Sequence, residues 1–547
     1  MPTTKVSITK EKLDDLANAI ADKSGESVPM TLSQMISAVE GISGGGGDGD
    51  AILARTLSGT YVNSTATKIG FYGMAFTPVT NVEFTACQHV DNNAFSGCSS
   101  LTTVSFPVCS HIGIRAFSGC SNLTVASFPS CKTIESSAFT MLYSLTTAYF
   151  PMCETVGGYA FYGCTSLSDI TFTSCKRIGQ CAFSACSLIT NVSFPNVSFI
   201  DYSAFTGCPL SSDTTFPTAQ ELSMSCFGNN NFNSAIYPVC TSVGSYVFKN
   251  MTNLSIASFP ECLVVGNSAF YGCTNLSQFY FPKLSYAGYF AFGSCPYLPS
   301  VITEDMFPSM DRVGGFGSNP QITTASFSQA TQVLESAFQS CTGLITASFP
   351  TAAYLGGTAF AYCTNLETVY MPNCTGMYTS PFAGCTKLKS VNLASYSSSI
   401  TANFFASCPL LSNVVMPLVK TIQASAFRST AVQLLSFQYC SSVGSYAFAN
   451  CSSLHTIRFD NYCFFNNYAF SSASALMSLY LLSTTFCALA GSYVFNGTPL
   501  SNSTYTGNFG SIFVRASMLN TYKTSRYFSA YSNRFVGLTD SEIAALG

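Results

Sequence analysis

The chain has 547 residues, of which 47% are apolar and only 9% charged, with a net charge of −3 at pH 7. Such a chain has too much apolar surface to be held disordered by charge, and it carries no basic field for a nucleic acid or an anionic membrane. It has no apolar run of about 18 residues to span a bilayer, and its opening residues lack the basic start and unbroken apolar core of an export signal. A soluble chain made without a standard export signal is therefore expected.

Residues 8–41 predict a helical hairpin. Thr9 caps a segment whose Leu13, Leu16, Ala17 and Ile20 share one face, and Gly25 suits its end. Thr31 to Gln34 has capping-box spacing before Met35, Ile36 and Val39. The unit, residues 1–43, is too short to form its own core and needs a partner. Residues 44–50, Gly-rich and ending in Asp48 to Asp50, read as a flexible linker, because the rest of a calcium loop is missing.

From residue 51 to 511 the chain repeats. Twenty phenylalanines from Phe76 to Phe495 recur mostly every 22 residues, with intervals of 19 before Phe95, 24 before Phe316 and 25 before Phe495. Each period holds two segments. In the first, Leu101, Val104, Phe106, Pro107 and Cys109 read as a short strand with Leu, Val and Phe inward and Pro closing it. In the second, Ile112, Gly113, Ala116, Phe117, Gly119 and Cys120 bring the aromatic ring to the other side of the coil. One coil cannot bury a two-sided core, so the coils must stack. The predicted fold is a solenoid of about twenty coils with short parallel strands, a leucine-rich-repeat-like stack. Residues 512–547 lose the period and read as the cap that covers the last coil.

Of 25 cysteines, twelve follow the repeat Phe and nine follow the strand, while Cys181, Cys226, Cys463 and Cys487 fall outside both series. Equivalent residues stack, and Ala, Met or Thr replaces Cys in some coils, which suits small buried thiols better than disulfides. No Cys or His pattern has zinc spacing, so no metal or cofactor is expected. His89 and His111 stack on adjacent coils as a weak metal pair or, the favoured reading, as two exposed residues. Glu304, Asp305 and Asp311 lie in the coil lengthened by two. Paired carboxylates there could cleave a glycan, but an insertion in a solenoid is more often a solvated loop.

Binding is better supported than catalysis. The outward strand positions are uncharged: Thr102, Thr103, Ser105, Ser127, Thr171, Ser193, Ser258, Ser326 and Ser348. Tyr149, Tyr280, Tyr370 and Tyr480 interrupt them, and a second series, Tyr159, Tyr246, Tyr446, Tyr468 and Tyr493, precedes the repeat Phe by two. Tyrosine joins an apolar face to a hydroxyl and loses little entropy when immobilised, so these nine are the receptor-binding candidates.

The strand segment followed by Ile-Gly-x-x-Ala-Phe-x-Gly-Cys, as in Ile178 to Cys186 with Ala at the Gly position, resembles the BspA-like leucine-rich-repeat family over roughly residues 55–535. That resemblance implies a right-handed solenoid used for adhesion and ligand binding at cell surfaces. The cap is also similar, with Arg515 where Pro is usual and Phe528 where Trp is usual. The segment from Lys10 to Ile42 resembles the opening of tail fibre and receptor-binding proteins of phages and prophages. Together they imply a non-enzymatic tail-fibre protein that binds a host cell-surface glycan or protein. It would be trimeric through residues 1–43, joined there to other tail components and carried on the virion. The alternative is a bacterial cell-surface adhesin, and a third, weaker reading is a glycan depolymerase.

Overall fold

The computed structural model describes residues 58–546 except 191, 212–215, 231 and 502–507. The predicted N-terminal hairpin and linker lie outside the described residues. The described chain forms two units, divided after Phe232.

In the first unit the outward-facing strand positions belong to a six-stranded parallel sheet built from Gly59–Asn63, Val79–Phe84, Thr103–Ser105, Val125–Ser127, Thr147–Tyr149 and Asp169–Thr171. The opposite side of each coil carries a two-residue strand, from Lys68–Ile69 to Glu221–Leu222, again parallel. The register equals the sequence period: Ser105 pairs with Ser127, which pairs with Tyr149. The turn around the repeat Phe is tied coil to coil as well, Phe117 donating its N–H to Ala138 O at 2.9 Å. Backbone polar groups of three sides are thus satisfied by the neighbouring coil, as a buried backbone requires.

Two phenylalanine ladders fill the space between. Phe95, Phe117 and Phe139 stack at 5.0 and 4.9 Å with rings within 6° of parallel. The strand-end Phe106 and Phe128 stack at 5.1 Å and meet the first ladder edge-on, Phe117 lying 5.7 Å from Phe128 at 66°. Both arrangements are favourable for aromatic quadrupoles, and these side chains are fully buried. The turn needs left-handed backbone on both sides of Phe117, at Arg115 (φ 53°) and Gly119 (φ 79°), and Gly takes that conformation without a Cβ penalty.

Phe76 is not a member of the ladder. Met74 is fully buried and donates to Ala94 O, as Phe95 does to Ala116 O, while Phe76 (φ 59°) takes the place that Gly97 has one coil on. The anomalous interval of 19 comes from Ala75-Phe76 imitating the repeat dipeptide.

In the second unit the outer strands fall into three sheets. Ser234–Ile236, Ile256–Ser258 and Gln278–Tyr280 form the first; six strands from Val301–Thr303 to Asn413–Val415 form the second; Leu434–Phe437, Thr456–Phe459, Ser478–Leu481, Ser511–Arg515 and Phe535–Leu538 form the third. The ladder thus extends beyond residue 511 to Leu538. The cap adds helix α1 (Leu519–Thr524) and helix α2 (Asp540–Ala545), the latter with a capping box between Thr539 and Glu542. The two departures noted in the sequence pin this cap. Arg515 donates to Leu482 O at 2.7 Å and to Asp540 at 2.6 Å, and Phe528 is buried against Tyr522 and Phe535.

All 25 cysteines are buried free thiols. Most of them are hydrogen-bond donors, not merely small residues. After the strand, Cys109 Sγ donates to His111 O at 3.2 Å; after the repeat Phe, Cys120 Sγ donates to Phe95 O in the preceding coil at 3.1 Å. Where Cys is absent from the second series, Asn319 Nδ2 gives the same bond to Phe292 O at 2.8 Å, and Asn230 to Phe205 O at 2.9 Å. Cys463 and Cys487 belong with the cysteines that follow the strand after all, since each directly precedes a two-residue strand, Phe464–Phe465 or Ala488–Leu489, that continues the ladder from Ser442–Val443. Extra residues between strand and thiol hide them from the spacing.

Candidate functional site

The structure sorts the nine tyrosines by what their ring faces already touch. Tyr446, Tyr468 and Tyr493 stack on one another at 5.2 and 5.4 Å, and Tyr480 lies on Phe513 at 4.6 Å and 13°. In each of these a ring face is engaged by a neighbouring ring, although Tyr446 and Tyr493 stay 42% and 55% exposed. Tyr159 packs on Tyr162 and its hydroxyl accepts from Gln180, and Lys249 Nζ sits 5.1 Å over the Tyr246 ring. Tyr149, Tyr280 and Tyr370 remain, 43%, 57% and 48% exposed at the last position of their strands. Their strand neighbours are small and uncharged: Ser127 and Thr171, Ser258, then Ser348 and Asn392.

Among these three, Tyr280 lies in a concavity. The regular ladder needs an N–H one residue after each strand Leu: Ser255 donates to Asn233 O and Ser277 to Ser255 O. The next coil has Pro299 after Leu298, and proline has no N–H to give. The sheet ends at Gln278–Tyr280 and a new one begins at Val301–Thr303. Inserted residues Glu304 to Met306 form a turn beside the break. The resulting cleft, about 590 Å³, is lined by Ser258, Gln278, Tyr280, Pro282, Pro299, Asp305, Met306 and Pro308 among others. Sequence reasoning had named Tyr280, Ser258 and Asp305 separately; it missed Gln278, Met306 and the prolines, although Leu298-Pro299 was the signal.

The carboxylates of this coil do not form a pair. Asp305 faces the cleft, whereas Glu304 accepts from Ser328 N at 3.2 Å in the following coil. Burial raises the Glu304 carboxyl pKa, but hydrogen bonds from Ser328 and from its own backbone together outweigh it and hold the group below its ordinary value. Asp311 leads into Arg312–Val313 on the other side of the coil. The two-carboxylate arrangement of glycoside hydrolysis is therefore not assembled.

A second depression, in the first unit, is lined by Glu154, Ser174, Lys176, Asn196, Ser198, Thr218 and Gln220. Several of its groups are already engaged: Lys176 pairs with Glu154 at 2.7 Å, Asn196 donates to Thr173 O and Ser198 to Lys176 O. His89 and His111 are register partners with rings 6.1 Å apart. Among the described residues no group of three or more His, Cys, Asp or Glu is placed to hold a metal ion, and no helix is long and apolar enough to cross a membrane.

Stacked coils with a strand-entry leucine, parallel short strands and a hydrophobic interior define a leucine-rich-repeat solenoid. The chain belongs to the BspA-type leucine-rich-repeat family, whose model matches it in overlapping stretches at 67–189, 110–233, 198–314, 313–433 and 398–516. Similar solved structures include a leucine-rich repeat protein from Bacteroides ovatus, 19% identical over 76% of this chain and 92% of that one, with a TM-score of 0.39. A leucine-rich cell surface protein from Faecalibacterium prausnitzii is 18% identical over 65% of this chain and 87% of that one, with a TM-score of 0.23. No curated protein sequence matches the chain.

Proposed function

We propose that the protein is a non-enzymatic receptor-binding protein that recognises a cell-surface glycan or protein through the outer strands of its coils. The observation that carries this reading is the exposure of Tyr149, Tyr280 and Tyr370 at equivalent positions within a neutral border of Ser, Thr and Asn. Large exposed amphipathic side chains in such surroundings are the makings of a recognition surface. Membership of the BspA-type family supports adhesion at a bacterial cell surface as the setting.

A second setting, a phage or prophage tail fibre, is favoured by the resemblance of the segment from Lys10 to Ile42, followed by its Gly-rich linker. In that setting residues 1–43 hold the homotrimer and meet the other tail components. Fluorescently labelled full-length protein incubated with intact candidate bacteria tests the binding reading, and failure to bind any of them saturably would sink it. Immunogold labelling then separates the settings: label on the producing cell's surface supports the adhesin, and label on virion tails supports the fibre.

A further inference from the structure

We infer that the cleft at the sheet break, between Tyr280 and the turn carrying Asp305, is a saccharide subsite for a neutral hexopyranose unit. This rests on the receptor-binding reading and names the ligand class of one place on that surface.

The lining offers what a sugar ring presents. A pyranose has a face of C–H groups and a rim of hydroxyls, each both donor and acceptor. The Tyr280 ring, with its side chain more than half exposed, has an electron-rich face suited to C–H groups. Met306 and Pro282 extend that apolar wall. The hydroxyl rim needs convergent donors and acceptors: Gln278 supplies both through its amide, Ser258 through its hydroxyl, and Asp305 accepts only. An apolar wall with a few polar groups is the usual build of a small-molecule site. Asp305 is the one carboxylate among the lining residues, and no lining residue is basic. An anionic sugar would meet repulsion there with no cation to offset it, so a neutral unit is selected over a sialic or uronic acid.

At the other two open tyrosines the sheet is unbroken. The strands bearing Tyr149 and Tyr370 are paired on both sides, with Asp169–Thr171 and Ser390–Asn392 following them. At Pro299 the ladder lacks its N–H, and the inserted turn at Glu304 to Met306 stands beside that gap.

The test uses the full chain on an array of neutral, amino-sugar, sialylated and uronic-acid oligosaccharides, followed by calorimetric titration of the best neutral hit. Tyr280→Ala, Asp305→Asn and the control Tyr143→Ala, at an exposed tyrosine off the strand face, are compared, with melting curves to show that each is folded. The expected result is binding to neutral glycans that weakens at least tenfold in Tyr280→Ala and severalfold in Asp305→Asn, with Tyr143→Ala unchanged. Glycan binding that Tyr280→Ala leaves intact overturns the cleft while the receptor-binding reading stands. Saturable binding to cells without binding to any arrayed glycan overturns the saccharide and leaves that reading standing. Loss of both removes the two together.

Discussion

Phe117 lies 5.0 Å from Phe95 with its ring 6° from parallel, and it is fully buried between that ring and the next at Phe139. Because every such ring supports two neighbours, the energetics of the solenoid reside in the ladder rather than in any one coil. Deleting the ring leaves a cavity that close-packed neighbours cannot collapse into. Phe117→Ala is therefore expected to cost about 3 to 5 kcal/mol. Tyr149→Ala, at an exposed site, should change stability by less than about 0.5 kcal/mol. Urea unfolding of the two variants checks the contrast, and equal destabilisation would show Tyr149 to be part of the core.

Asn319 replaces the usual cysteine and is fully buried, its amide donating to Phe292 O and Phe316 O and accepting from Cys295 N. Asn319→Leu strands all three backbone groups and should cost about 2 to 4 kcal/mol or more. Asn319→Cys keeps the donor to the preceding coil and should cost distinctly less. Denaturation midpoints in the reverse order would refute a donor role for this position.

Burial pushes the thiols of Cys164, Cys208 and Cys341 up to about 12 from an ordinary 9.0. The folded chain thus holds these protons more tightly than the unfolded one. Above pH 9 the unfolded state binds fewer protons than the native state, so stability falls with rising pH. The contribution is complete below about pH 9 and is lost progressively as pH climbs towards 12. Urea midpoints measured from pH 8 to 11 should decline, and Cys164→Thr should shallow the decline. A flat profile would mean that the thiols are solvated. Native protein at pH 8 should also resist iodoacetamide, with alkylation appearing only in denaturant.

Much of this fold is legible in the 22-residue period, because a solenoid writes its core once per coil. What misled the reading were positions where letters and register diverge. Ala75-Phe76 copies the repeat dipeptide, yet Met74 fills the core slot. Cys463 and Cys487 sit later after their strands than Cys109 does, so fixed spacing leaves them out. The candidate site was legible in pieces. Exposure of Tyr149, Tyr280 and Tyr370 follows from strand alternation, but occupation of the other tyrosine faces depends on neighbours such as Phe513, which repeat spacing does not reveal. The cleft depends on a hydrogen bond that Pro299 cannot make, visible only once the register is known.

Glycan cleavage would need a second carboxylate beside Asp305, and Glu304 is turned to Ser328 instead. Incubation of the protein with purified bacterial polysaccharides is accordingly expected to release no reducing ends, as a colorimetric reducing-sugar assay would record. Release that Asp305→Asn abolishes would reverse this conclusion.

The most direct test of the account is cell binding by the full chain with Tyr149, Tyr280 and Tyr370 all changed to Ser. The outward face being the recognition surface, the variant should melt with the parent protein yet bind bacteria that the parent binds saturably at least tenfold more weakly. Undiminished binding with unchanged melting would contradict it and place recognition elsewhere on the chain.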